Sequence, residues 1–330
     1  MATISSNRRS RRLSFQPLEE RTLMAGDVAV SVVNGDLKIT GDANGNSVAI
    51  FQTIQQGVPV ADSFYVSGFN GTTINGAPIG KAFSGVTRDF NINLAGGSDI
   101  LKLGTNSSAD VARFRVPNDL RIEMGDGTNQ VELLYITVAD DTTINTGNGT
   151  DYVTVLGNFG LGDAGNAVDN LQNDVTINTN GGMDEVWVRH SFVRNDLSID
   201  MGVDAKSNWV TVANTDVEGD LLIVTSDGDD YVSIDQVQAS VLFVSTHGGD
   251  DHISIKNTKV RDLLYASLGA GNDTLEISDS HGGRGDVVRQ PYAGTAVFDG
   301  GDGVYDRFFA TNVQFGSVQL LSFYEARYTL

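Results

Sequence analysis

The chain has 330 residues, 38 Gly, 5 Pro, no Cys and a formal net charge of -20 at pH 7. That length can bury one sizeable core; the lack of cysteine excludes a disulfide scaffold but not export, and the acidity argues against nucleic acid and anionic lipid as partners. No apolar run is long enough to span a membrane, and no amphipathic helix of three turns is visible.

Residues 1–25 form a basic, polar segment out of phase with everything that follows. Arg8, Arg9, Arg11 and Arg12 are similar to the charged start of a signal peptide, and Ser10-Arg11-Arg12 to a twin-arginine signal, but neither is followed by an apolar stretch. Phe15-Gln16-Pro17-Leu18-Glu19-Glu20-Arg21-Thr22-Leu23-Met24-Ala25 resembles the short N-terminal motif of planctomycete extracellular proteins, with Gln16 in place of the usual acidic residue. The resemblance implies export to the cell surface or beyond and implies nothing about activity.

From residue 26 to 312 one pattern recurs about every 22 residues: a short strand, a Gly/Asp/Asn-rich turn, and a second strand opened by Asp or Asn. The openers are Asn46, Asp99, Asn129, Asp151, Asp184, Asn208, Asp230, Asp251, Asp273 and Asp306, each followed at two and four residues by an apolar side chain such as Val153 and Val155. Period two within a strand buries one face; a period near 22 between units means stacked coils. Inward pairs of the first strand include Leu37/Ile39, Leu120/Ile122, Leu221/Ile223, Val241/Phe243 and Leu263/Tyr265, and a third short segment falls near Phe192–Val193, Val217, Val237 and Val260. Parallel strands need crossovers, which are right-handed. The expectation is therefore an all-β fold: a right-handed parallel β-helix of about ten coils, about 50 Å long at roughly 4.8 Å per rung. An antiparallel sandwich or barrel is the rival, but it would not give like turns at one corner. Residues 313–330 read as a closing strand or cap.

The turns carry the candidate chemistry. Gly269 to Ile277 resembles one unit of the calcium-binding nonapeptide repeat, with Ala270 for its second Gly, although the units here recur at about 22 residues and not nine. Stacking brings Asp230, Asp251 and Asp273 to one corner, and with Asp227, Asp229 and Asp250 beside them in the turns they are the candidate ligands. Carboxylates that close repel, so either Ca²⁺ bridges them or Asp and Asn bond the turn backbone in a ladder between coils.

On the outer faces, Trp209, Tyr231 and His252 follow the openers on consecutive coils and form a candidate glycan-binding column. Leu222, Leu242, Leu264 and Val297 form an outward apolar stripe. Such a stripe is covered by His281–Gly294, covered by Val313–Phe323, or marks a partner interface. Catalytic signals are thin: His247 and His252 beside Asp250 and Asp251, and Arg189-His190. The reading is an exported, non-catalytic structural or adhesive protein of the cell surface or matrix, with polysaccharide among its expected partners. The alternative is a polysaccharide lyase or hydrolase, with a basic residue among Arg121, Arg189, Arg194 and Lys259 beside a carboxylate groove.

Overall fold

The computed structural model of the chain describes residues 26–104, 114–157, 171–278, 292–313 and 315–329. Among these the fold is all-β and solenoid-like, without a helix. The N-terminal motif and most of the His281–Gly294 insertion lie outside the described residues.

Strands stack in columns, each strand pairing in parallel with its counterpart on the neighbouring unit. The first column runs from Asp36–Thr40 through Phe90–Asn93, Leu120–Glu123, Thr142–Asn145, Val175–Asn178, Leu197–Asp200 and Leu221–Val224. The second runs from Ser47–Gln55 through Ile100–Gly104, Gln130–Leu134, Tyr152–Leu156, Glu185–Arg189 and Trp209–Val217 to His252–Lys256 and Thr274–Ser278. A short third column links Phe192–Val193 to Asp216 and Val217, then to the long strands Tyr231–Ser245 and Lys259–Ser267.

The core fills the space between columns. Ile122, Ile144, Ile177, Ile199 and Ile223 stack in register on one wall, and Val131, Val153, Val186, Val210 and Val232 on another, all fully buried or nearly so. β-branched side chains suit a pleated wall, and each buried one contributes about 1.5–3 kcal/mol over an exposed one. The corner after the second column takes one residue in the left-handed conformation. Tyr135, His190, Asn214, Gln236 and Asn257 occupy it with φ between 49 and 56°. Asn and His tolerate that region better than most residues, which gives His190 a backbone role.

Three features differ from the sequence reading. First, the beginning is not uniformly parallel. Asp27–Val33 pairs antiparallel with Asp36–Thr40 across Asn34-Gly35, and Ser47–Gln55 with Val58–Gly68 across Gln56-Gly57. Positive φ at both residues of each turn is what a two-residue hairpin needs. Lys81–Ser84 adds a further antiparallel strand, and Phe64, Phe90 and Phe114 meet edge-on, with ring centroids 4.8–6.2 Å apart.

Second, Val313–Phe323 does not cover the outer stripe. Its strand Phe315–Leu321 pairs with Tyr292–Asp299 as the next rung, and Phe323 packs against Phe308.

Third, Leu242 and Leu264 face inward. Leu221 pairs with Leu242 and Leu242 with Leu264, and both Leu242 and Leu264 are buried. Val241, Phe243, Leu263 and Tyr265 accordingly turn outward. The corner between Ala239 and Leu242 is one residue shorter than its neighbour between Val217 and Leu221. A slip of one residue moves every side chain of a strand to the other face.

Candidate functional site

The ten Asp and Asn residues that open the second strands form one buried column, none more than 2 % exposed. The backbone N–H of each donates to the side-chain Oδ1 of the next. Asn46 donates to Asp99 at 2.6 Å, Asn129 to Asp151 and Asp151 to Asp184 at 2.8 Å, and Asp184 to Asn208 at 3.0 Å. The series continues through Asp230, Asp251 and Asp273 to Asp306. The second side-chain atom behaves differently by residue type. The Asn129 amide donates to the carbonyls of Gly125 and Thr146, each at 2.9 Å, and the Asn208 amide to Lys206 O and Ser226 Oγ. The Oδ2 atoms of Asp99, Asp151, Asp184, Asp251, Asp273 and Asp306 are buried without a hydrogen-bond partner. Burial therefore pushes these carboxyls up, to about 6 for Asp99 and Asp184, about 7 for Asp151 and Asp273 and about 8 for Asp251.

The six candidate Asp residues divide between two environments. Asp230, Asp251 and Asp273 belong to the buried column. Asp227, Asp229 and Asp250 are exposed, and Asp229 and Asp250 each accept a backbone N–H from the following turn. Among the described residues, the one group of three carboxylates with ligand atoms within 4.8 Å of one another is Asp119, Asp140 and Asp141.

That group belongs to a second acidic column that the sequence reading missed. Asp89, Asp119, Asp141, Asp174, Asp196 and Asp220 each precede a first-column strand. Here the N–H of the later rung donates back to the earlier carboxylate, as Asp220 does to Asp196 at 2.8 Å. The polarity is opposite to that of the buried column. Arg121 bridges Asp89, at 3.2 Å, and Asp119, while Asn173 donates to Asp140 and Asp141. Burial alone would lower the Arg121 pKa, but Asp119 and Asp89 outweigh it and raise it. The guanidinium stays protonated and cannot act as a base.

The remaining candidates fall on outer faces. Trp209, Tyr231 and His252 are in register, and the Tyr231 and His252 rings lie 5.1 Å apart at 5°. Each gives one ring face to the other, which removes those faces from sugar stacking. Arg189 lies over the Trp187 ring at 4.1 Å. His247 and His190 sit at left-handed corners, and Arg194 and Lys259 are exposed, with Lys259 near enough to the half-buried Asp216 to favour its charged form against burial. The outward apolar stripe exists with changed membership: Leu222, Phe243, Tyr265 and Val297, with Phe243 and Tyr265 stacked 4.9 Å apart. No protein family, curated protein or solved structure matches this chain.

Proposed function

We propose that the chain is an exported, non-catalytic structural or adhesive module, built as a right-handed parallel β-helix of about ten coils and working at the cell surface or in the matrix. The observation that carries this reading is the buried Asp/Asn column. It runs through every described coil, and its polar atoms serve stacking and not a cleft. The N-terminal resemblance supports export. The outward stripe of Leu222, Phe243, Tyr265 and Val297 supplies an attachment face, and the net charge of -20 favours neutral or cationic partners over acidic ones.

Polysaccharide elimination is the second reading, favoured by Arg121 among Asp89, Asp119, Asp140 and Asp141. It needs an unprotonated base, and ion-paired Arg121 is not one. Two measurements on the full chain test the proposal. Immunogold labelling of a tagged protein in a planctomycete host places it outside the cytoplasmic membrane; retention in the cytoplasm overturns export. Incubation with pectate, alginate and neutral glucans releases no unsaturated or reducing ends; steady release overturns the non-catalytic assignment.

A further inference from the structure

The buried column mixes Asn and Asp at equivalent positions, and the two residue types leave different atoms facing the turn. Asn129 and Asn208 present an amide that donates to the turn. Asp151 lies between Asn129 and Asp184 in the same column, with its Oδ1 taken by the Asn129 N–H and its Oδ2 buried and unpartnered. Asp184 and Asp99 repeat that arrangement. An ionised carboxylate there would point a bare acceptor at a place where the Asn amide offers a donor, a costly arrangement for a buried charge. A protonated carboxyl is the steric and hydrogen-bonding equivalent of the Asn amide.

We propose that Asp99, Asp151 and Asp184 stand in the folded protein as neutral carboxylic acids whose Oδ2–H takes the place of the Asn amide, so that the stack is loaded with protons and loosens as they leave. The reading does not depend on where the protein works. The charged groups facing these three carboxyls are all acidic, and the neutral Asn46, Thr146, Asn129 and Thr179 lower them by less than burial raises them. Asp99 faces Asn46 and Asp42; Asp151 faces Thr146, Asn129 and Asp184; Asp184 faces Thr179 and Asp204. No Lys, Arg or His acts on any of them to hold a negative charge.

The direction follows from linkage. The ordinary carboxyl value is 3.8, and the folded values are about 6 for Asp99 and Asp184 and about 7 for Asp151. The folded state therefore binds protons more tightly than the unfolded one. The stabilisation is complete below about 4 and is lost as the pH rises through 6 to 7.

The test is thermal melting of the full chain between pH 4.5 and 8.5 at constant ionic strength. Wild type melts highest near pH 5 and several degrees lower at pH 8. Asp151→Asn and Asp184→Asn, alone and together, melt like wild type at pH 5, above it at pH 8, and flatten the slope. Glu276→Gln, which removes one charge from an outer face, leaves the slope unchanged. The proposal is overturned if the wild-type midpoint is flat or rises from pH 5 to 8, if Asp151→Asn melts below wild type at pH 8, or if Glu276→Gln flattens the slope equally. Infrared spectroscopy of wild type at pH 6 gives an answer even if a variant fails to fold. A band from protonated carboxyls that disappears on unfolding at the same pH is expected, and its absence refutes the idea.

Discussion

At the turn before each second-column strand, a single backbone position decides whether coils can approach. Gly127, Gly149 and Gly182 bridge one another across consecutive turns. Gly149 has φ +153°, and a Cβ there would overlap the Gly127 carbonyl oxygen. Gly149→Ala should therefore cost about 3 kcal/mol, through backbone strain together with the parting of two rungs. Urea unfolding of the variant beside wild type measures it, and a cost under about 0.5 kcal/mol would show that the turn yields freely. The same scale explains why the histidines read as catalytic candidates are better understood as corner residues. His190 and His247 both have positive φ, at 50 and 63°, and occupy places that Asn or Gly fills on other coils.

Along a strand, alternation decides which side chain is structural. Leu242→Ala should cost about 2–5 kcal/mol by leaving a cavity, whereas Val241→Ala should cost well under 1, since Val241 faces out. Equal losses in denaturant titrations would contradict the register described. Much of this was legible in the residues. The parallel columns, the three short segments per coil and the stacked Trp209–Tyr231–His252 register follow from the recurrence of apolar pairs. The misplacement of Leu242 and Leu264 came from anchoring the first strand loosely to the following Asp. Leu37, Leu120 and Leu221 each lie nine residues before their Asn or Asp, and so do Leu242 and Leu264, while Val241 and Leu263 lie ten before theirs. The six turn Asp residues were separable too. Asp251 shares the parity of Ile253 and Ile255 and so points inward, while Asp250 has the opposite parity. What one unit could not reveal was the direction of the N–H···Oδ1 bonds, because the donor and acceptor lie on different coils.

For the molecule as a whole, the carboxylates behind the formal net charge of -20 are divided between the buried column and the exposed turns, and among the described residues the one group of three close carboxylates is not at the turns before the second strands. Ca²⁺ and Mg²⁺ at matched ionic strength should raise the melting midpoint of the full chain equally, through screening. A rise selective for Ca²⁺ that EDTA reverses would mean specific binding by the folded state and would displace this account. The two ends of the described stack differ from its middle. Phe64, Phe90 and Phe114 gather at one, Phe298, Phe308 and Phe323 at the other, and Val and Ile line the walls between.

The buried column also bears on how such a chain can change over generations. Its successive members lie from 21 to 53 residues apart, yet every bond joins adjacent rungs only. Tandem duplication or loss of one whole unit would leave both neighbours with a partner of the same kind. Length is therefore a variable this architecture can alter by copying, while the spacing within a unit is held by chemistry.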